Sequence, residues 1–139
     1  MLVQLLTPKS IAPKRARVGD AGLDVYSPIS TSIRPGKREQ IKLGIAVEVA
    51  EDEVVLMQER SGMAIKHGVR SLGNVIDSNY RGEISIILHN GGDQQFNILA
   101  GDRIGQMLVL KLGSSEVRVV PELSTNSERG TAAHYSSGI

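Results

Sequence analysis

Between residues 40 and 49 the chain reads QIKLGIAVEV. Ile41, Leu43, Ile45, Val47 and Val49 recur at every second position, with mostly polar residues between them. A period of two puts those side chains on one face, so the segment is expected to form one half-buried strand. Shorter apolar runs follow at 53–58 (EVVLMQ) and 83–88 (EISIIL), the latter ahead of the turn former Asn90-Gly91-Gly92. Residues 103–112 make a long apolar segment, and 116–120 a short β-branched one. Residues 3–6, 23–26 and 31–33 complete the predicted strands. Turn formers at 34–37, 50–52 and 111–114 separate these runs, and 62–67 is the one short helix the pattern allows. Many short strands with regular turns predict an all-β fold, a sandwich or barrel.

Composition sharpens that picture. The chain has 139 residues, which suits one domain. A chain of that length buries roughly 68% of the surface its unfolded form exposes. Four aromatics (Phe96, Tyr26, Tyr80, Tyr135) leave the core to Val, Ile and Leu. Lys and Arg number 16 against 15 Asp and Glu, so no broad basic field marks a nucleic-acid or membrane surface. The absence of cysteine excludes disulfides, thiolate metal ligands and a thiol nucleophile. No apolar run approaches the roughly 20 residues of a membrane-spanning helix. Residues 1–10 lack the pattern of a signal peptide, so a cytoplasmic or host-intracellular location is expected.

Two parts are expected within the chain: a β-domain over 1–123 and a flexible C-terminal arm over 124–139. The arm is rich in Ser and Gly and lacks apolar periodicity. It is either a solvated terminus or, through its backbone and hydroxyl donors, a segment that folds over an anion.

Four segments place polar residues or glycines where a strand would want apolar ones. Asp24, in Leu23-Asp24-Val25-Tyr26, is a charge on a solvated face or a carboxylate near a hard cation such as Mg²⁺. Arg60-Ser61-Gly62 stands where a strand gives way to a helix; it is an ordinary Ser cap or an anion grip. GNVIDSNYRGE (73–83) is expected to be a hairpin turning at 77–82. Asp77, behind two β-branched residues, is expected to be partly buried; it is a turn former or a carboxylate that takes a proton from water. Tyr80 offers a flat face for packing or for a ligand. Gln106, in GDRIGQM (101–107), is a polar residue in a buried run and needs hydrogen-bond partners from protein or ligand.

Taken in order, these segments resemble the trimeric dUTPase family across essentially the whole chain. AGLDVYS (21–27), ERSGMA (59–64), GNVIDSNYRGE (73–83), GDRIGQM (101–107) and RGTAAHYSSG (129–138) are similar to its five motifs, with matching gaps. The resemblance implies a jelly-roll-type distorted β-barrel, assembled as a homotrimer with three active sites at subunit boundaries. It implies hydrolysis of dUTP to dUMP and pyrophosphate. Asp77 would be the base that activates the attacking water, and Asp24 would hold Mg²⁺ through water. Arg60, Ser61, Gly62 and Gln106 would bind phosphates. Tyr80 would pack on deoxyribose, and the backbone around Asn74, Val75, Ile76 and Glu83 would read uracil. Arg129, His134, Tyr135 and Ser136 would belong to an arm, lent by a neighbouring subunit, that closes over the triphosphate.

The fifth motif departs from the family pattern. Ala133 and Tyr135 stand for glycines, His134 for a phenylalanine and Ser137 for a threonine. Elsewhere Asn74 and Gly105 stand for a usual Gly and Ala, and Glu59 for a usual Pro. Two other readings stay open: a dCTP deaminase-like activity, and a weakly catalytic dUTPase-fold protein that acts as a regulatory binding module.

Overall fold

The structure is a computed structural model that describes residues 1–113 and 116–127. Eleven strands and one short helix are seen among them. They are β1 (Leu2–Leu5), β2 (Leu23–Tyr26), β3 (Thr31–Ile33), β4 (Arg38–Lys42), β5 (Ile45–Glu48), β6 (Glu53–Gln58), α1 (Ser61–His67), β7 (Val69–Leu72), β8 (Val75–Ile76), β9 (Ser85–Asn90), β10 (Phe96–Ile98) and β11 (Arg103–Lys111). A four-stranded sheet runs β2-β11-β6-β8, and a three-stranded one runs β4-β9-β7. The pairs β1-β5 and β10-β3 complete the framework, and every pairing is antiparallel. The ladders do not close into a barrel; this is a distorted jelly roll. Among the described residues no helix is long and apolar enough to cross a membrane.

The core explains why an aromatic-poor chain folds. Val25, Val55, Met57, Ile104 and Met107 of the four-stranded sheet meet Ile41, Val69, Ile86 and Leu88 of the three-stranded one in a single buried cluster. Each such side chain contributes roughly 1.5–3 kcal/mol on leaving water. Asn90 is fully buried and satisfied: its amide donates to Ile33 O and Gln94 O, both at 2.8 Å, and its oxygen accepts from Gly92 N. It thereby fixes the turn that follows β9.

Four expectations are corrected. The period-two run at 40–49 is buried on one face as predicted, yet it is two strands. Gly44, at φ 68°, breaks the ladder, so that β4 pairs with β9 and β5 with β1. The segment 73–83 is not a ladder hairpin, because β8 pairs with β6 while β9 pairs with β4 and β7. Its turn is real, with Tyr80 N donating to Asp77 O at 3.1 Å, but it carries the chain from one sheet to another. Residues 116–120 form no strand; Val117 and Val119 are almost fully exposed, with no neighbouring strand to cover them. Finally, β7 and β10 are strands where none was expected, since polar Arg70, Ser71 and Asn97 interrupt their apolar positions.

The helix forms as expected, one residue earlier. It has seven residues, too few to persist alone, and is anchored by buried Met63. Gly68 ends it at φ 64°, with its N–H bonded to Ala64 O. A Cβ at Gly68 would lie 2.9 Å from Gly92 N, so glycine is required there on two counts.

Candidate active site

Register across the large sheet assembles the site. Asp24 on β2 lies opposite Gln106 on β11, and Gln106 lies opposite Gln58 near the end of β6. Adjacent strands stand about 4.8 Å apart, so Asp24, Gln106 and the chain entering α1 are near neighbours. Between Arg103 and Gly105 the pairing of β11 with β2 slips by one residue, a β-bulge. Positions 103 and 106 would alternate to opposite faces in a regular strand; the bulge brings both to the face that carries Asp24.

Two guanidinium groups grip the Asp24 carboxylate. Arg60 Nε lies 3.2 Å from Oδ1, and Arg103 Nη1 lies 3.2 Å from Oδ2. The carboxylate is nearly buried, at 12% exposure, whereas the two guanidinium groups are more open. Asp24 thus fixes two cations by charge-assisted bonds and leaves their other N–H groups free. Arg60 itself, and not Ser61, is the helix N-cap, and it makes no side-chain cap bond. Ser61 and Gly62 follow it, exposed, in the first turn. Gln106 is aimed by its amide, which donates to Glu59 O at 3.1 Å. Gly22 makes room for it, since a Cβ there would overlap Gln106 Oε1.

These groups line a cleft of about 1000 Å³. Asp24, Arg60, Ser61, Gly62 and Gln106 all face it, so five predicted residues are brought together. Sequence reading missed its other charged walls: Arg17, Lys66 and Arg103 beside Asp20 and Asp102. Four cationic side chains then face three carboxylates, a balance that suits an anion of high charge density. Only the bulge reveals Arg103, and a period-two reading turns it away. Glu59, which stands where the family has a usual Pro, accepts from Ser71 N at 3.0 Å and Ser71 Oγ at 2.6 Å. Those two hydrogen bonds hold its carboxyl below the usual carboxylate range.

The 73–83 segment lies elsewhere. Asn74 O accepts from Met57 N, Val75 faces Leu56 and Ile76 faces Val55. Asp77 comes next, on the flank of β6 away from β11. From the Gln58–Gln106 rung to Val55 is three residues of strand, about 10 Å. None of Asn74, Val75, Ile76, Asp77, Tyr80 or Glu83 lines the cleft. Asp77 is exposed and not partly buried, because the turn projects from the sheet. Tyr80 is 47% exposed, its ring folded over Gly82 and its hydroxyl donating to Glu83 O at 3.2 Å. The Glu83 carboxylate is engaged by Gly44 N at 3.2 Å and Lys42 Nζ at 3.0 Å, which ties the loop to the β4–β5 break. Asn74 Oδ1 is buried without a hydrogen-bond partner among the described residues. Arg129, His134, Tyr135 and Ser136 lie outside the described residues.

The dUTPase family profile matches residues 8–138. The chain belongs to the dUTPase family. A deoxyuridine 5'-triphosphate nucleotidohydrolase of Clostridium novyi (strain NT) is 37% identical, over 100% of this chain and 99% of that protein. The dUTPase of Staphylococcus bacteriophage 80alpha, solved with dUPNHPP, is 27% identical with a TM-score of 0.92, covering 99% of this chain and 98% of that one. The dUTPase of phage phi11 of S. aureus, in which a structural Mg(II) ion is coordinated, shares the fold at 24% identity and a TM-score of 0.82. Four of the five motifs that a reading of the sequence alone finds in order therefore sit on a dUTPase fold, and the fifth, 129–138, lies outside the described residues.

Proposed function

We propose that this dUTPase hydrolyses dUTP to dUMP and pyrophosphate at sites shared between chains of a homotrimer, with Asp77 as the base. The observation that carries this reading is the Arg60–Asp24–Arg103 constellation beside Gln106, in a cleft that Asp77 of the same chain does not line. The cleft supplies anion donors; the exposed turn supplies a free carboxylate and a ring face. Neither is a complete site, and a second copy that presents its 73–83 turn to the cleft supplies what is missing.

The residues divide the work. Arg60, Arg103, Gln106 and the first-turn groups of Ser61 and Gly62 bind the triphosphate and stabilise charge as the bond to the leaving pyrophosphate breaks. Asp77 takes a proton from the water that attacks the α-phosphate; a positioned carboxylate adds typically 10²–10⁴-fold. Tyr80 lies against deoxyribose and excludes a 2′-hydroxyl, and the backbone of Asn74, Val75, Ile76 and Glu83 reads uracil. Residues 1–123 are the β-domain. Residues 124–139 are an arm whose Arg129, His134, Tyr135 and Ser136 close over substrate.

Mg²⁺ fits this donor set as a partner of the nucleotide. Among the described residues no group of three or more His, Asp or Glu forms a protein cage. Asp24 offers a single carboxylate already shared by two guanidinium groups, which suits contact through water; Mg²⁺ is commonly held by one or two carboxylates together with substrate phosphates. When bound it neutralises charge on the triphosphate.

The test is an assay with dUTP and dCTP in Mg²⁺, with the wild type and Asp77→Asn. Pyrophosphate from dUTP alone is expected, with turnover down at least about 10²-fold in Asp77→Asn and nucleotide binding retained. Ammonia from dCTP would identify a deaminase, neither product would leave a binding module, and full activity in Asp77→Asn would remove Asp77 from the base role.

A further inference from the structure

Glu59 sits where three connections meet. Its carbonyl holds the Gln106 amide at 3.1 Å, its carboxylate accepts both the N–H and the hydroxyl of Ser71, and Arg60 follows it in the chain. Ser71 lies on β7, in the three-stranded sheet, and is itself buried. Glu59 therefore ties the end of β6 to the opposite sheet at the point where the chain enters the phosphate-binding turn. We propose that Glu59 is a positioning residue for dUTP hydrolysis: through its bonds to Ser71 it fixes the backbone that aims both Arg60 and Gln106 at the triphosphate. This rests on the phosphate-binding reading of the cleft.

The geometry favours this over a bond that serves folding alone. One carboxylate oxygen, Oε2, accepts from both donors of Ser71, one of them a short O–H bond, so the residue cannot rotate without losing both. Among the described residues, the same residue's carbonyl is the hydrogen-bond partner of the Gln106 side chain. A shift of Glu59 moves Gln106 and Arg60 together. Arg60 in turn contacts Asp24, so Glu59 adjoins the phosphate-facing cluster at two points, Arg60 and Gln106.

The test compares binding of two ligands, the imido analogue dUpNHpp and plain deoxyuridine, so that their ratio isolates the phosphate half. Variants are Glu59→Ala, Ser71→Ala, Glu59→Gln and, as a check on the cleft itself, Arg60→Ala. Glu59→Ala is expected to bind the analogue about tenfold more weakly, in the range of lost orienting partners, with deoxyuridine affinity unchanged. Ser71→Ala is expected to move the same way by less. Glu59→Gln keeps an acceptor oxygen for Ser71 and is expected to restore most of the affinity, which also keeps the test decisive should Glu59→Ala fail to fold. Normal analogue binding in Glu59→Ala and Ser71→Ala, beside weak binding in Arg60→Ala, would overturn the positioning role and leave the phosphate reading intact. Parallel weakening of both ligands would overturn it as well, since that is general loosening. Normal binding in Arg60→Ala would sink the phosphate reading, and the positioning role with it.

Discussion

Asp24 shows how a single residue takes its meaning from its neighbours. Alone in the sequence it is a charge in an apolar strand. In the fold it is the shared counter-ion of Arg60 and Arg103, and it sets their direction. Tyr80 is the opposite case, a residue that keeps an open face because nothing among the described residues covers it. Its hydroxyl is held by Glu83 O, and its ring is stacked over Gly82, where a Cβ would overlap it. A ring so held is a rigid wall. Tyr80→Ala is therefore expected to relax the rejection of UTP by about tenfold or more in kcat/KM, with less effect on dUTP. Parallel steady-state assays with the two nucleotides check this, and unchanged discrimination would count against the sugar-packing role. Glu59 adds a pH signature. Its carboxyl is held low by Ser71, chiefly by the hydroxyl bond. The stability it contributes is present above the ordinary carboxylate range and is lost as pH falls through the lowered value.

Elements make plain what could be read from the sequence and what could not. The periodic strands β2, β3 and β6 fall where alternation and turn formers put them, as does α1 to within one residue. The strands β7 and β10 are as short as β2 and β3, but polar Arg70, Ser71 and Asn97 interrupt them and no apolar run marks their place. Breaks in register were invisible for a different reason. Gly44 interrupts the ladder without disturbing burial, since Ile41, Leu43, Ile45, Val47 and Val49 are all buried on either side of it. The bulge before Gly105 likewise leaves the apolar pattern intact while turning Arg103 into the cleft. Five residues of the phosphate cluster were legible within motifs; Arg103 lies in a motif too but is turned into the cleft only by the bulge, and Lys66 and Arg17 join only through tertiary placement. Gly44 gives a direct test. Its φ is 68° and a Cβ there would overlap Ser10 Oγ, whereas Gly36, at φ 70°, has open space around it. Gly44→Ala is expected to cost about 2–3 kcal/mol, and Gly36→Ala about 1 kcal/mol, in urea unfolding. Equal losses would mean that the close contact with Ser10 does not matter.

At the scale of the whole molecule, the site as proposed is divided between chains. The cleft gathers cations and amides around Asp24, while Asp77 and Tyr80 face outward on the far flank of β6. Leu2, Leu5 and Val75 are exposed as well. A trimer that joins the cleft of one chain to the turn of another uses both features. Mixing two inactive variants tests this most directly. Arg60→Ala lacks the phosphate grip and Asp77→Asn lacks the base, so each homotrimer is expected to be silent. In trimers reassembled from an equal mixture, each site draws its cleft from one chain and its turn from another. Both halves are then intact in about one site in four, and about a quarter of wild-type kcat is expected to return. If no activity reappears although sedimentation shows that mixed trimers have formed, then Arg60 and Asp77 do not act together across a subunit boundary.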